Sequence, residues 1–169
     1  ANVAVNEQTI YHWGSITKSM TATLCGRLFE AGVVRWDMTI GEVLDEPSAP
    51  VPTAYRDATL LHLLSHRAGL QSNIADADAA TFSLALSDAR AERLRYVKLA
   101  LAQKPVGPLG AQNAYANNGY IVVGAMLEKL TGKSWETLIR REVFAPLGLK
   151  RAGQGAPGTC GKIDQPMDH

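Results

Sequence analysis

Apolar residues recur along this chain at helical spacing and almost nowhere with the alternation of a strand. Ile16, Met20, Leu24 and Leu28 stand four apart and Gly32 follows as a stop, which predicts a helix over 15–31. Lys18, Arg27 and Glu30 are its only charges, so burial on most of its sides is expected. A brief extended piece over 33–37 and a short helical turn over 40–44 come next, before a loop broken by Pro47, Pro50 and Pro52. Thr59 is placed to cap a compact helix over 60–66 that Gly69 closes. Beyond the loose, alanine- and aspartate-rich stretch 73–80, Ser87 and Asp88 open an amphipathic helix reaching about Gln103. Leu94, Tyr96, Val97, Ala100 and Leu101 form its expected apolar face, with Arg90, Arg93 and Lys98 toward solvent. The prolines and glycines of 104–110 break that helix, and a last pattern predicts a helix over 120–131 that Gly132 ends. Residues 1–11 read as an extended lead-in.

Composition narrows the class without naming a chemistry. A chain of 169 residues, 46% hydrophobic and 20% charged, is of ordinary single-domain length and can bury a core. With 17 basic against 16 acidic residues the net charge of +1 offers no field to recruit nucleic acid or an anionic membrane. No stretch has the length of a membrane span, and no charged head with an apolar core marks a signal peptide at the N-terminus. Cys25 and Cys160 are too few for a disulfide framework and are expected to be free thiols, the first of them buried.

Two short motifs carry chemistry. Gly14-Ser15-Ile16-Thr17-Lys18 has the S-x-x-K form, and the i, i+3 spacing puts the Ser15 hydroxyl and the Lys18 ammonium one helical turn apart on one face. A serine becomes nucleophilic near neutral pH only beside a group that takes its proton, and the positive end of a helix favours the alkoxide. The plain alternative is a capping serine and a lysine that snorkels to solvent. Tyr115-Ala116-Asn117-Asn118-Gly119-Tyr120 sits where a loop meets the next helix, a junction that can hold a phenol and an amide rigidly in a cleft. Its plain alternative makes Asn117 or Asn118 an N-cap and Tyr115 a core aromatic. His62 and His66 have the i, i+4 spacing of a zinc pair but lack the glutamate and third ligand such a site needs, so both are expected to be structural, with no metal and no cofactor.

Taken in order, G-S-I-T-K-S-M-T-A, E-A-G-V-V-R-W-D, L-L-S-H-R-A-G-L, Y-A-N-N-G-Y-I-V-V-G-A-M-L-E-K-L-T-G-K-S-W and V-F-A-P-L-G-L resemble successive segments of the serine β-lactamase and penicillin-binding-protein family. The likeness is to its class C branch and the related esterases, D-alanyl-D-alanine peptidases and D-aminopeptidases. It implies Ser15 as the acylated nucleophile, Lys18 and Tyr115 as the pair that shuttles its proton, and Asn117 as a hydrogen-bond partner of a substrate side chain. It also implies an α+β fold, a mixed sheet flanked by helices with a helical domain beside it.

Two departures qualify the expectation. No K-T-G or H-x-G strand motif follows Tyr115, since Lys133 precedes Ser134 and Cys160-Gly161-Lys162-Ile163 does not match. In the tail, Asp168 stands before His169 where the family has glycine, so His169 is not assigned to the site. Residues 1–169 are therefore expected to be a partial, mostly α-helical β-lactamase-like domain with most of the family's sheet missing. The expected activity is that of a serine hydrolase forming an acyl-enzyme with a small ester, amide or β-lactam. A penicillin- or peptidoglycan-binding relative without turnover, and an inactive fragment needing a complementing chain, are the alternatives. A small-molecule substrate is the expected partner. The family's frequent export points to the periplasm, while oligomeric state and compartment are left open by the residues themselves.

Overall fold

The computed structural model describes residues 4–7, 9–82 and 88–155, and the expectations for Cys160, the 160–169 tail and Ser87 lie outside them. Among the described residues the secondary structure is helical, apart from two isolated antiparallel bridges, Thr39 with Thr59 and Glu46 with Ala49. A 3-10 turn, Gly14–Ile16, leads into α1, Thr17–Glu30. Short helices α2, Ile40–Leu44, α3, Thr53–Arg56, α4, Leu60–Leu64, and α5, Asp76–Ala79, follow. The long helices α6, Ala89–Ala102, and α7, Asn117–Thr131, come next, and α8, Trp135–Ile139, continues into a π-helical turn, Arg140–Phe144.

The body is built around α7, which packs against α1, α2, α4, α6 and α8. Nine of its fifteen residues are buried, among them Val122, Val123, Met126 and Leu127. Its C-terminus reads directly from sequence: Gly132 adopts φ +69° and its N–H returns to the Glu128 carbonyl at 2.9 Å, as a left-handed cap requires. The short helices hold because their ends are satisfied. Thr39 with Glu42, and Thr59 with His62, form reciprocal capping boxes, and the bridge between the two threonines ties α2 to α4. Asp88 caps α6 by accepting from the N–H groups of Arg90 and Ala91 at 3.0 and 3.1 Å. Gly69 has φ +71°, and a Cβ there would lie 2.6 Å from the Gly107 carbonyl oxygen, so this loop crossing admits only glycine.

Several expectations need correction. α1 buries one side only, through Thr21, Leu24, Cys25 and Leu28, while Ile16 and Phe29 are exposed. A scarcity of charge on α1 therefore does not report burial, because serine, threonine and alanine occupy much of its open side. Residues 33–37 do not run as one extended piece: a bend at Val33 and a turn at Trp36 and Asp37 break it, with the Trp36 ring stacked on Phe29 at 5.1 Å. The compact helix α4 stops at Leu64, and His66 leaves it with φ +58°. α7 begins at Asn117, three residues before the apolar pattern announces it, because the N–H groups of Asn117 and Asn118 are received by the Ser72 carbonyl at 2.8 and 3.3 Å.

The largest correction concerns α6. Val97, Ala100 and Leu101 are buried as expected, yet Leu94 is 42% exposed and Arg93 turns inward. Helical geometry aligns Arg93 with Val97 and Ala100 and rotates Leu94 to the edge of that stripe. Arg93 pairs with the buried Glu128 of α7 and with Glu136 of α8. Gly124 makes room for it: a Cβ there would sit 3.1 Å from Arg93 Cδ. The Glu128 carboxylate also accepts from the Trp135 N–H at 2.7 Å, so this group links α6, α7 and α8. Cys25 is a free thiol on the buried face of α1, and burial pushes it up to about 12.

Arg93→Met should destabilise the fold by about 3–5 kcal/mol, the cost of leaving a buried carboxylate without its partner. Leu94→Ala should change stability by no more than about 0.5 kcal/mol, as for an exposed position. Equilibrium urea denaturation of both variants checks the pair.

Candidate active site

Ser15 lies in the 3-10 turn ahead of α1, where Gly14 takes φ +50° and the Ile16 N–H closes onto the Trp13 carbonyl at 3.0 Å. Lys18 is one turn further along and half-buried. Its ammonium donates to Ser15 Oγ at 3.1 Å and to Asn117 Oδ1 at 2.7 Å. It also lies 4.7 Å from the centre of the Tyr115 ring and 5.7 Å from that of Tyr120. The Tyr115 hydroxyl is 2.7 Å from Ser15 Oγ. Four residues singled out in sequence, drawn from around the start of α1 and the start of α7, thus meet around the Lys18 ammonium.

The plain alternatives do not describe this geometry. Lys18 turns inward instead of snorkelling. The residue preceding α1 is Ile16, which makes no side-chain cap, so Ser15 is not a capping serine. Tyr115 is half exposed, and the N-cap of α7 is Ala116 rather than either asparagine. The buried Asn118 serves packing instead, accepting from the Tyr96 hydroxyl at 3.0 Å and donating to Gln103 Oε1 at 3.2 Å.

Electrostatics follow from the placement of Lys18. Its ammonium, and after it the hydrogen bond with Ser15, hold the Tyr115 phenol below the ordinary tyrosine range. Tyr120, more enclosed, is pushed the other way by burial. Because an ammonium can only donate, it fixes the Asn117 amide with Oδ1 toward Lys18. The amide nitrogen then points to Asn73, donating to its Oδ1 at 2.8 Å.

The Tyr115 loop is held by carbonyls at and just beyond the end of α4, which have no partner within that helix. The Leu64 carbonyl accepts from the Tyr120 hydroxyl at 2.9 Å, and that of Ser65 from Asn113 Nδ2 at 2.8 Å. The His66 carbonyl accepts from the Ala114 N–H at 2.8 Å. Gly119 lets α7 approach, since a Cβ there would lie 3.3 Å from the Leu63 carbonyl oxygen. The two histidines hold backbone and do not converge on a common point. His62 Nδ1 faces the Thr59 N–H at 3.2 Å, and His66 Nδ1 accepts from the Ala116 N–H at 3.1 Å. No group of three or more His, Cys, Asp or Glu residues gathers as a metal would require among the described residues.

Sequence reasoning missed Asn73 and the part played by His66. Asn73 sits in a loop without periodicity, 44 residues before the amide it receives. His66 was visible as the end of an apolar run, but its partner lies 50 residues later and is a backbone group, which no side-chain pattern announces.

Residues 1–159 match the family model described as Beta-lactamase. Penicillin-binding protein 4 of Amycolatopsis lactamdurans is 31% identical over 150 residues, which cover 89% of this chain and 37% of that protein. The D-alanyl-D-alanine-carboxypeptidase/endopeptidase AmpH of Escherichia coli K12 is 28% identical over 151 residues, covering 88% of this chain and 38% of its own. The crystal structure of a D-stereospecific amidohydrolase from Streptomyces superposes with a TM-score of 0.67 at 27% identity, over 82% of this chain and 42% of that one. The chain thus spans little more than a third of the length of these curated relatives. With the family model matched from residue 1 to 159, the chain belongs to the beta-lactamase family.

Proposed function

We propose that this chain carries the acylation machinery of a serine hydrolase that forms a covalent acyl-enzyme with a small ester, amide or β-lactam. One observation carries the reading: Ser15 Oγ is held between the Lys18 ammonium at 3.1 Å and the Tyr115 hydroxyl at 2.7 Å. On this reading the Ser15 oxygen bonds to the substrate carbonyl carbon while its proton passes to the phenolate of Tyr115, whose charge the Lys18 ammonium favours. The tetrahedral adduct collapses as the carbonyl carbon's bond to the leaving nitrogen or oxygen breaks. The leaving atom takes the proton back from Tyr115. Water then attacks the acyl carbon, gives its proton to Tyr115, and displaces the Ser15 oxygen, which recovers that proton. The Ser15 N–H, at the start of the helical segment, is placed to be one donor to the oxyanion. Asn117, held by Lys18 and Asn73, presents the second hydrogen of its amide nitrogen to a substrate side chain.

The relatives' own names, a penicillin-binding protein, a D-alanyl-D-alanine carboxypeptidase and a D-stereospecific amidohydrolase, support a small acyl compound as the substrate class. The chain's short span of those relatives supports the companion proposal that residues 1–169 supply the nucleophile helix and helical region of an α+β domain. It also favours a second reading, in which completing the turnover requires strands from another segment.

Intact-mass measurement after exposure to benzylpenicillin or p-nitrophenyl acetate should reveal an adduct, and Ser15→Ala should remove it without loss of helical circular dichroism. Labelling that survives this change would exclude Ser15 as the nucleophile. An adduct that forms but never releases product would favour the second reading. Tyr115→Phe should slow acylation by about 100- to 10,000-fold, the usual worth of general acid–base catalysis. Lys18→Met should move the Tyr115 titration upward, toward the ordinary value of about 10. Tyrosinate absorbance against pH, with Tyr115→Phe identifying the relevant step, measures the shift; an unchanged curve would dissociate Lys18 from the phenol.

A further inference from the structure

We infer that neutral His66 is a positioning residue for Tyr115, an inference that rests on the acyl-enzyme reading above. The geometry is a clamp around one residue. On the near side of Tyr115, the Ala114 N–H donates to the His66 carbonyl at 2.8 Å. On the far side, the Ala116 N–H donates to His66 Nδ1 at 3.1 Å. Between them the imidazole packs on the Tyr115 ring with centroids 4.5 Å apart, and on Tyr120 at 5.3 Å. Both backbone bonds form with His66 standing at φ +58°, a conformation uncommon outside glycine that histidine, like asparagine and aspartate, takes more readily than other residues.

Neighbouring bonds secure the same stretch of loop, and among the described residues His66 holds the backbone N–H of the residue before the phenol and that of the residue after it. Ala116 is also the N-cap of α7, so the same contact holds the residue that leads into the helix bearing Asn117. A shift of the loop would move the phenol relative to Ser15 Oγ, and acid–base catalysis is sensitive to such displacement.

The Nδ1 contact works only while that nitrogen carries a lone pair. A protonated imidazole would turn an N–H toward the Ala116 N–H and lose the bond. The titratable and charged groups facing the ring are Lys18 from α1, Tyr115 from the loop and Tyr120 from α7. Burial, and then the Lys18 ammonium, keep the imidazole below the ordinary histidine range. The contact is therefore present at neutral pH and is lost as pH falls through this lowered value.

The test uses the protein with three variants. His66→Asn keeps an acceptor at the δ position, Oδ1 in place of Nδ1, and tolerates positive φ. His66→Gly keeps the backbone conformation and removes both acceptor and ring. Ser15→Ala reports on the acyl-enzyme reading itself. Two readouts are taken: the pH titration of the Ala116 amide by nuclear magnetic resonance, which needs no activity, and the pH profile of the acylation rate with p-nitrophenyl acetate.

In the wild type both should show an inflection below the ordinary histidine value of about 6.5. In His66→Asn both inflections should vanish, with the neutral-pH rate kept within about threefold. In His66→Gly the rate should fall at least about tenfold in kcat with KM little changed, loss of a transition-state interaction rather than of binding. An Ala116 amide that does not titrate, or an acid inflection that persists in His66→Asn, would overturn the inference. Equal rates in the Asn and Gly variants would do the same. Acylation surviving in Ser15→Ala would instead remove the reading on which the inference rests, while the Ala116 titration would still show whether the clamp exists. A variant that lacks the wild-type circular dichroism is replaced by the wild-type comparison across pH, which carries both inflections by itself.

Discussion

The arrangement depends on a half-buried ammonium held entirely by neutral partners. Lys18 reaches Ser15 Oγ, Asn117 Oδ1 and the faces of two tyrosines, and no carboxylate stands within ion-pair distance of it among the described residues. A carboxylate at position 117 would bind the same ammonium more strongly and would also neutralise it. With asparagine there the positive charge is oriented but not cancelled, so its field remains available to the Tyr115 phenol. The same bond carries the weight of holding the start of α1 against the start of α7. Local electrostatics and tertiary contact are one constraint at this point.

That constraint would be useless on a soft support, and the support is α7. Its buried stripe meets five other helices, and its charged C-terminal turn is locked by Arg93, which links it to α6 and α8. Its N-terminal turn is fixed differently, by the Ser72 carbonyl and by the side chains around Asn118. The loop carrying Tyr115 is held by carbonyls that α4 cannot use internally. Orphan backbone groups at helix ends are usually answered by water or caps. Here those of Leu64, Ser65 and His66, at and just beyond the end of α4, are answered by Tyr120, Asn113 and Ala114, so the chain leaving α4 also helps to fix the loop that carries Tyr115.

Much of this was legible in the sequence and some was not, for physical reasons that can be named. The extents of α1 and α6, the cap at Asp88 and the stop at Gly132 follow from spacing and from local backbone chemistry, which a linear pattern encodes well. The candidate site residues were legible because S-x-x-K and Y-A-N are short motifs of distinctive types. Arg93 was misread because a charged residue on a helix is ordinarily solvated, and only tertiary contact reveals that its carboxylate partners and the space above Gly124 come from two other helices. The start of α7 was misread because its first N–H groups are satisfied by a loop carbonyl, which has no side-chain signature. Asn73 and His66 act on groups 44 and 50 residues away, and no local rule connects them.

His66 shows most directly how a cost in backbone conformation is tied to placement. A non-glycine residue at φ +58° gives up about 1–3 kcal/mol, and such a conformation persists only where surrounding contacts over-determine it. Three contacts do so here: its carbonyl to Ala114, its Nδ1 to Ala116, and its ring to Tyr115. Each backbone bond of this kind contributes about 0.5–1.5 kcal/mol net, so the clamp roughly offsets the strain and adds little to global stability. Histidine at this position is thus poorly explained as a stabilising choice, since glycine would adopt the same backbone without strain. What glycine would lack is the acceptor facing the Ala116 N–H and the ring against the phenol. The residue is better understood by what it holds, which is the one loop position whose oxygen stands beside Ser15.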